Sequence, residues 1–213
     1  SFILLDLNHT LWQSCPWSNI RVENDSTLTG YKLVKGWGPE RHVYFTAVFS
    51  RPFEDFGIMQ DTVPVIYNTK RFRSHLEAWG TDLRFWMRFP TQEGESVTVK
   101  VAISAVSTEG AVNNMRELEG KDFATLKMEG EKLWEEQLSK FAIEGTQEQK
   151  ETFYTSVYHA FLHPFIFQDA DGRFRELDKN IGKAEGFTNY TVFSLWDTYR
   201  AAHPLYTLVQ PER

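Results

Sequence analysis

The sequence contains a single cysteine, Cys15, in 213 residues. That excludes an internal disulfide framework and any zinc site built on several thiolates. There is no excess of positive charge either, since 23 Lys and Arg stand against 29 Asp and Glu for a formal net charge of -6. Binding nucleic acid by phosphate neutralisation needs clustered basic residues. Here each basic window has acidic neighbours, so no nucleic-acid partner is expected. No run of about 18 apolar residues occurs, which excludes a helical membrane span. A Gly-x-Ser-x-Gly elbow and Gly-rich phosphate loops are also missing, and Cys15 has no assignable His partner for thiol catalysis.

What the chain has in quantity is aromatic: 17 Phe, 8 Tyr and 7 Trp, 15% of the residues. Rings bury large areas in a core, and they also make flat platforms for sugar faces. Composition alone favours the core. At roughly 150 residues per domain, the length fits one large domain, or one domain and part of another. Both ends are abrupt. Ser1 to Leu7 reads as a buried strand rather than a positively charged leader, and Phe193 to Gln210 stays apolar and aromatic up to Pro211-Glu212-Arg213. The expectation is an internal segment of a larger protein.

From residue 1 to about 107 the dominant period is two, with turn residues between the runs. Val97, Val99, Val101, Ile103 and Ala105 share one strand face, and Thr98, Lys100 and Ser104 the other. Val43 to Phe49 and Arg84 to Phe89 alternate in the same way, the latter expected to bury Phe85, Met87 and Phe89. Gly36-Trp37-Gly38-Pro39, Arg51-Pro52 and Gln92-Glu93-Gly94-Glu95 supply the turns. Several antiparallel strands so punctuated predict a β-sandwich. Near residue 108 the period changes. From Gly110 to about Lys140 helix formers dominate, with Leu126, Leu133, Trp134 and Leu138 as an apolar stripe. Thr146-Gln147-Glu148-Gln149 then reads as a capping box opening a helix to about His163, which Pro164 ends or kinks. A last helical stretch is expected from about Ser194 to Tyr199.

Three constellations carry chemical possibilities. His159 and His163 are four apart, the spacing of paired metal ligands on a helix. No Glu lies between them, however, and a packed or hydrogen-bonded pair is the plainer account. Asp169-Ala170-Asp171-Gly172 has the opening of a calcium loop, but Arg173, Phe174 and Arg175 follow where oxygen donors would be needed, so an Asp-capped turn is favoured. Trp196, Asp197 and Arg200 form the third set. On a helix Asp197 and Arg200 are neighbours three apart, and the trio could hold a sugar hydroxyl against the indole. Taken by itself, it reads more plainly as a helix-stabilising ion pair beside a core tryptophan.

The stretch Phe153-Tyr154-Thr155-Ser156-Val157-Tyr158-His159, the block Asp169 to Arg175, and above all Thr188 to Arg213 (TNYTVFSLWDTYRAAHPLYTLVQPER) resemble glycoside hydrolase family 92. Gly30 to Gly38, Tyr44 to Phe53 and Val99 to Met115 are similar to that family's β-sandwich and its exit, so the resemblance spans nearly the whole chain. The family consists of calcium-dependent, exo-acting α-mannosidases, many of them bacterial. The resemblance implies a multidomain α and β fold: a β-sandwich over 1–107 lacking its opening strands, a helical linker over 108–145, and over 146–213 the first helices of an (α/α)6 catalytic barrel.

On this resemblance the chain is a segment of a periplasmic, secreted or cell-surface enzyme that inverts at the anomeric carbon and releases terminal, α-1,2-linked mannose from glycans. Inversion needs a carboxylic acid and a carboxylate about 6.5–9.5 Å apart. The resemblance puts both, and the main calcium ligands, outside these residues, so that no catalytic or metal-binding residue is assigned here and the segment alone is expected to be inactive. Its partners would be the glycan and the remainder of its own catalytic domain. Trp196 and Asp197 match the family's mannose-binding Trp-Asp, with Arg200 as a residue orienting Asp197. Glu176 departs from the pattern, which has Gly there. The alternative is a non-catalytic carbohydrate-binding β-sandwich module.

Overall fold

The computed structural model describes residues 1–61, 63–64 and 76–211. Eleven strands are present among them: β1 (Phe2–Asp6), β2 (Ser14–Asn24), β3 (Thr27–Lys35), β4 (Arg41–Phe49), β5 (Asp55–Gln60), β6 (Val63–Pro64), β7 (Leu76–Gly80), β8 (Leu83–Arg88), β9 (Val99–Ser104), β10 (Arg173–Arg175) and β11 (Ile181–Lys183). The helices are α1 (Thr108–Asn114), α2 (Phe123–Leu138), α3 (Gln147–Phe161), α4 (Leu195–Thr198) and α5 (Ala202–Val209), with a 3-10 turn over Met115–Leu118. Residues 1–119 and 168–187 form one compact unit, and 120–167 with 188–211 a second.

The first unit is a sandwich of two antiparallel sheets, one ordered β1-β8-β5-β6 and the other β7-β2-β3-β4-β9. Alternation along the strands builds the core between them, because every second side chain points inward. Phe85, Met87 and Phe89 are buried as the pattern predicts, with Ile20, Leu28, Phe45, Phe49, Phe53 and Ile58. The rings pack edge-on: Phe53 meets Phe49, Phe56, Phe85 and Phe89 at steep angles, the arrangement that aromatic quadrupoles favour. Of the aromatic residues, Phe45, Phe49, Phe53, Phe85 and Phe89 are the buried ones among the described residues.

Two strands depart from expectation. The apolar run of β1 is buried on one face only: Ile3 and Leu5 pack on the core, while Phe2 and Leu4 are exposed. On β9 the polar face is the covered one. Ala102 and Ser104 are buried, whereas Val99, Val101 and Ile103 are 44%, 52% and 63% exposed.

Helix α1 begins at Ser107, whose hydroxyl accepts from the Gly110 amide at 3.0 Å. It presents Gly110 and Ala111, both buried. Small residues let its backbone approach closely, and a Cβ on Gly110 would overlap Asp169 Oδ2 and lie 2.6 Å from Ser104 Oγ.

The hairpin of β10 and β11 belongs to this unit. Gly172 has φ +84°, and a Cβ there would stand 3.1 Å from the Ala184 carbonyl. Both facts call for glycine at this turn. The Arg175 guanidinium fastens the hairpin, donating to the carbonyls of Ala105 (2.8 Å), Val106 (3.1 Å) and Lys179 (3.0 Å). Its charge acts on His42, whose pKa is held below its ordinary value first by burial and then by Arg175.

In the second unit α3 opens with the full capping box: the Thr146 hydroxyl accepts from the Gln149 amide, and the Gln149 side chain accepts from the Thr146 amide at 2.9 Å. Helix α2 rests on α3 through Trp134 and Tyr158, ring centroids 4.5 Å apart. The Tyr206 hydroxyl of α5 reaches the carbonyls of Ala160 (2.6 Å) and His163 (2.9 Å), tying that helix to the end of α3. No residue of α2, α4 or α5 is buried.

Candidate functional site

The Trp-Asp pair lies at the start of α4, a single helical turn closed by amide bonds from Asp197 and Thr198 to the Ser194 carbonyl. Trp196 is 87% exposed, so it is no core tryptophan of this unit. Asp197 is exposed and lies in the first turn, where its charge suits the helix dipole. The ion pair that a spacing of three predicts does not form. The helix stops at Thr198, and Arg200 lies beyond it, its Nε donating to the Tyr199 hydroxyl at 2.7 Å with the guanidinium carbon 5.5 Å from that ring's centroid. Among the described residues the Asp197 carboxylate has no side-chain partner, and such a group beside an uncovered indole can accept from two hydroxyls of a sugar whose apolar face rests on the ring. Tyr199 was not singled out by the sequence, yet its hydroxyl and ring fix where the Arg200 charge sits.

The other two constellations resolve into structural roles. His163 lies past the end of α3, its ring 4.5 Å from that of Phe165, so it does not share a helix face with His159. Asp169 is 4% exposed; its Oδ2 accepts from Ser104 Oγ at 2.7 Å and its Oδ1 from Asn114 Nδ2 at 2.9 Å. Asp171 accepts from the Arg173 amide (3.0 Å) and Nε (2.8 Å). These bonds, the amide first, hold its carboxyl below the usual range. Asp171 thus caps the turn as expected, while the Asp169 carboxylate is committed to Ser104 and Asn114.

Calcium, which the family resemblance implies, finds no fitting donor set here. Among the described residues no three His, Cys, Asp or Glu side chains converge. Glu176, the position that departs from the family pattern, closes a turn around Asp178 by donating its amide to the Asn180 carbonyl (2.9 Å) and accepting from the Lys179 amide (3.1 Å).

A cavity of about 610 Å³ opens within the helical unit, walled by Trp134, Phe161, His163, Phe193, His203 and Tyr206. Among the described residues no Asp or Glu lines it, and neither Trp196 nor Asp197 does. In the sandwich, the buried Cys15 thiol donates to the Trp17 carbonyl at 3.5 Å, and burial pushes its pKa up despite Lys32 nearby. The thiolate is the nucleophile. Alkylation of native Cys15 at pH 8 is therefore expected to run at least about tenfold slower than in the unfolded chain; equal rates in a thiol-reagent assay would overturn this.

The chain is thus a β-sandwich followed in sequence by helices. The profile described as "Glycosyl hydrolase family 92 N-terminal domain" matches residues 1–104, and that described as "Glycosyl hydrolase family 92 catalytic domain" matches residues 110–213. The chain belongs to glycosyl hydrolase family 92.

Among solved structures it is similar to the family GH92 α-mannosidase BT3965 of Bacteroides thetaiotaomicron, with 67% identity and a TM-score of 0.94 over 99% of this chain and 29% of that one. The same enzyme in complex with mannoimidazole matches with 67% identity and a TM-score of 0.94, over 99% of this chain and 28% of that one. The inverting mannosidase BT2199 of the same organism shares the fold at 24% identity, with a TM-score of 0.79, over 97% of this chain and 27% of that one. The chain therefore spans less than a third of the length of these relatives. No curated protein matches it.

Proposed function

We propose that the parent protein is an exo-acting α-mannosidase that releases terminal mannose, α-1,2-linked, from glycans with inversion at the anomeric carbon. The carrying observation is 67% identity, over 99% of this chain, to an α-mannosidase whose structure was solved with mannoimidazole. In this reading residues 1–107 are the sandwich, 108–145 the connection and 146–213 the opening of an (α/α)6 barrel. Trp196 walls the mannose pocket, Asp197 accepts from the sugar hydroxyls and Arg200 contributes charge beside it. The acid that protonates the leaving oxygen and the base that activates water come from outside these residues, as do the calcium ligands. Family resemblance also supports a periplasmic, secreted or cell-surface location.

The test is mannose release by the purified parent protein from α-1,2-mannobiose, with the first-formed anomer read by proton NMR. The expected product is β-mannose, and the 213-residue segment alone is expected to release none. Release of α-mannose would overturn inversion. Binding without release from any α-mannoside would instead favour the non-catalytic module.

A further inference from the structure

Glycine inside a strand weakens it, having no side chain to pack, and it commonly marks a place where another group approaches closely. Gly57 stands within β5, opposite Trp86 of β8 in the ladder. A Cβ at Gly57 would lie 2.6, 2.7 and 2.8 Å from Nε1, Cε2 and Cζ2 of the Trp86 indole. The ring therefore occupies the space that a side chain would need. It lies down across β5 instead of standing off the sheet, with one face against the strand and the other turned outward.

The core does not use this ring. Phe85 and Met87, its neighbours along β8, are the residues buried in the core, and alternation puts Trp86 on the opposite face. On its other side Trp86 pairs with Leu4 of β1, which is exposed, and the exposed Phe2 has its ring 6.2 Å from the indole. Along β8 the same face carries Arg84 and Arg88, one on either side of the indole. Both guanidinium groups are held in place. Arg84 pairs with Asp82 at 2.7 Å and Asp6 at 3.3 Å, and Arg88 with Glu54 at 3.2 Å.

The charges select the kind of occupant. Each arginine is matched by a carboxylate, so the patch has no surplus of positive charge to draw a nucleic acid or an anionic lipid surface. Ion pairs flank the ring at both ends, whereas the centres of protein interfaces are depleted of charged residues. A neutral pyranose meets both features. The C–H bonds of one sugar face rest on the indole, while hydroxyls at the rim accept from guanidinium N–H groups and donate to the carboxylates beside them.

We propose that the outer face of the β1-β8-β5-β6 sheet binds a neutral glycan, one pyranose unit lying on Trp86 between Arg84 and Arg88. The inference concerns attachment to polysaccharide and does not depend on mannosidase activity.

Affinity electrophoresis of the full-length parent tests it, in native gels containing soluble α-mannan, glycogen, xylan or a mixed-linkage β-glucan. At least one of these is expected to retard the parent, and Trp86→Ala to weaken that binding at least about tenfold, the effect of losing a central ring. The same variant is expected to keep the parent's kcat/KM on α-1,2-mannobiose. Retardation by none of the four, or retardation that Trp86→Ala leaves unchanged, would overturn the proposal. Hydroxyl-radical footprinting of the unsubstituted parent gives a reading that no folding defect can imitate. Trp86 is expected to be oxidised in the free protein and protected by the retarding polysaccharide, relative to the exposed Trp37 as an internal standard for scavenging. A Trp86 already protected in the free parent would mean that another segment of chain covers it, and equal oxidation with and without polysaccharide would mean that no sugar sits there. Either result would reject the site.

Discussion

Replacing Asp169 by Ala in the parent protein is expected to cost about 3 kcal/mol of stability, because hydrogen bonds to a charged acceptor contribute about 1.5–3 kcal/mol each and their loss strands the donors. For a unit of this size that lowers the melting temperature by about 6–12 °C. The carboxylate is 4% exposed and spends both oxygens on neutral donors, Ser104 Oγ at 2.7 Å and Asn114 Nδ2 at 2.9 Å. Ser104 in turn accepts from the Val106 amide at 2.9 Å, and Asn114 Oδ1 from the Ala170 amide at 2.8 Å.

One side chain therefore joins β9, α1 and the Asp169 turn into a single network. Truncation leaves Ser104 and Asn114 short of an acceptor in a place water reaches poorly. Asp169→Asn keeps the shape but turns an N–H donor toward another donor or the hydroxyl, so about half the loss is expected. Gly110→Ala attacks the same network from α1, its methyl overlapping Asp169 Oδ2 and standing 2.6 Å from Ser104 Oγ. Scanning calorimetry that moved the transition by less than about 2 °C for Asp169→Ala would contradict this account.

That network was invisible in the sequence because its members are 55 to 65 positions apart, and no local pattern links them. What was legible was periodic. Alternation in Arg84 to Phe89 predicts a strand with three named residues inward, and those residues are buried. Thr146 and Gln149 predict a capping box from spacing alone, and it forms.

Alternation does not say which face is covered, however, and on β9 the usual assumption inverts. Lys100 and Ser104 lie on the side packed by α1, where the Lys100 ammonium reaches the Leu118 carbonyl at 2.9 Å and Ser104 meets Asp169. The final helix, α5, lies beyond the last helical stretch expected from the sequence and contains Pro204. Proline is tolerated in the first turn, where its missing N–H has no partner to lose, and Pro204 falls there. The Asp197–Arg200 pair failed for a related reason: neighbours three apart meet only if the helix continues, and α4 ends at Thr198.

The same brevity of α4 sets up the largest functional effect. Asp197→Ala in the parent enzyme is expected to lower kcat/KM toward α-mannosides by about 100- to 1,000-fold, the loss of two hydrogen bonds to a charged acceptor. Stability should scarcely move. Among the described residues Asp197 bonds through its backbone to Ser194 and its side chain is exposed without a partner, so this unit loses no side-chain contact and the melting temperature is expected to stay within about 1 °C. Such a split between activity and stability would assign the carboxylate to the substrate, since a packing role would move both together.

Asp197→Asn retains an acceptor but not the charge and should fall between the two, by about tenfold. Trp196→Ala removes an 87% exposed ring and is expected to act mainly on KM, with Phe restoring part of the loss as another apolar face for the sugar. Arg200 is bonded to Tyr199 rather than to Asp197, so Arg200→Ala should cost less than Asp197→Ala. Equal losses for the two would mean that in the parent the guanidinium turns from Tyr199 toward the carboxylate. Wild-type kcat/KM for Asp197→Ala would remove the Trp-Asp pair from the sugar site altogether.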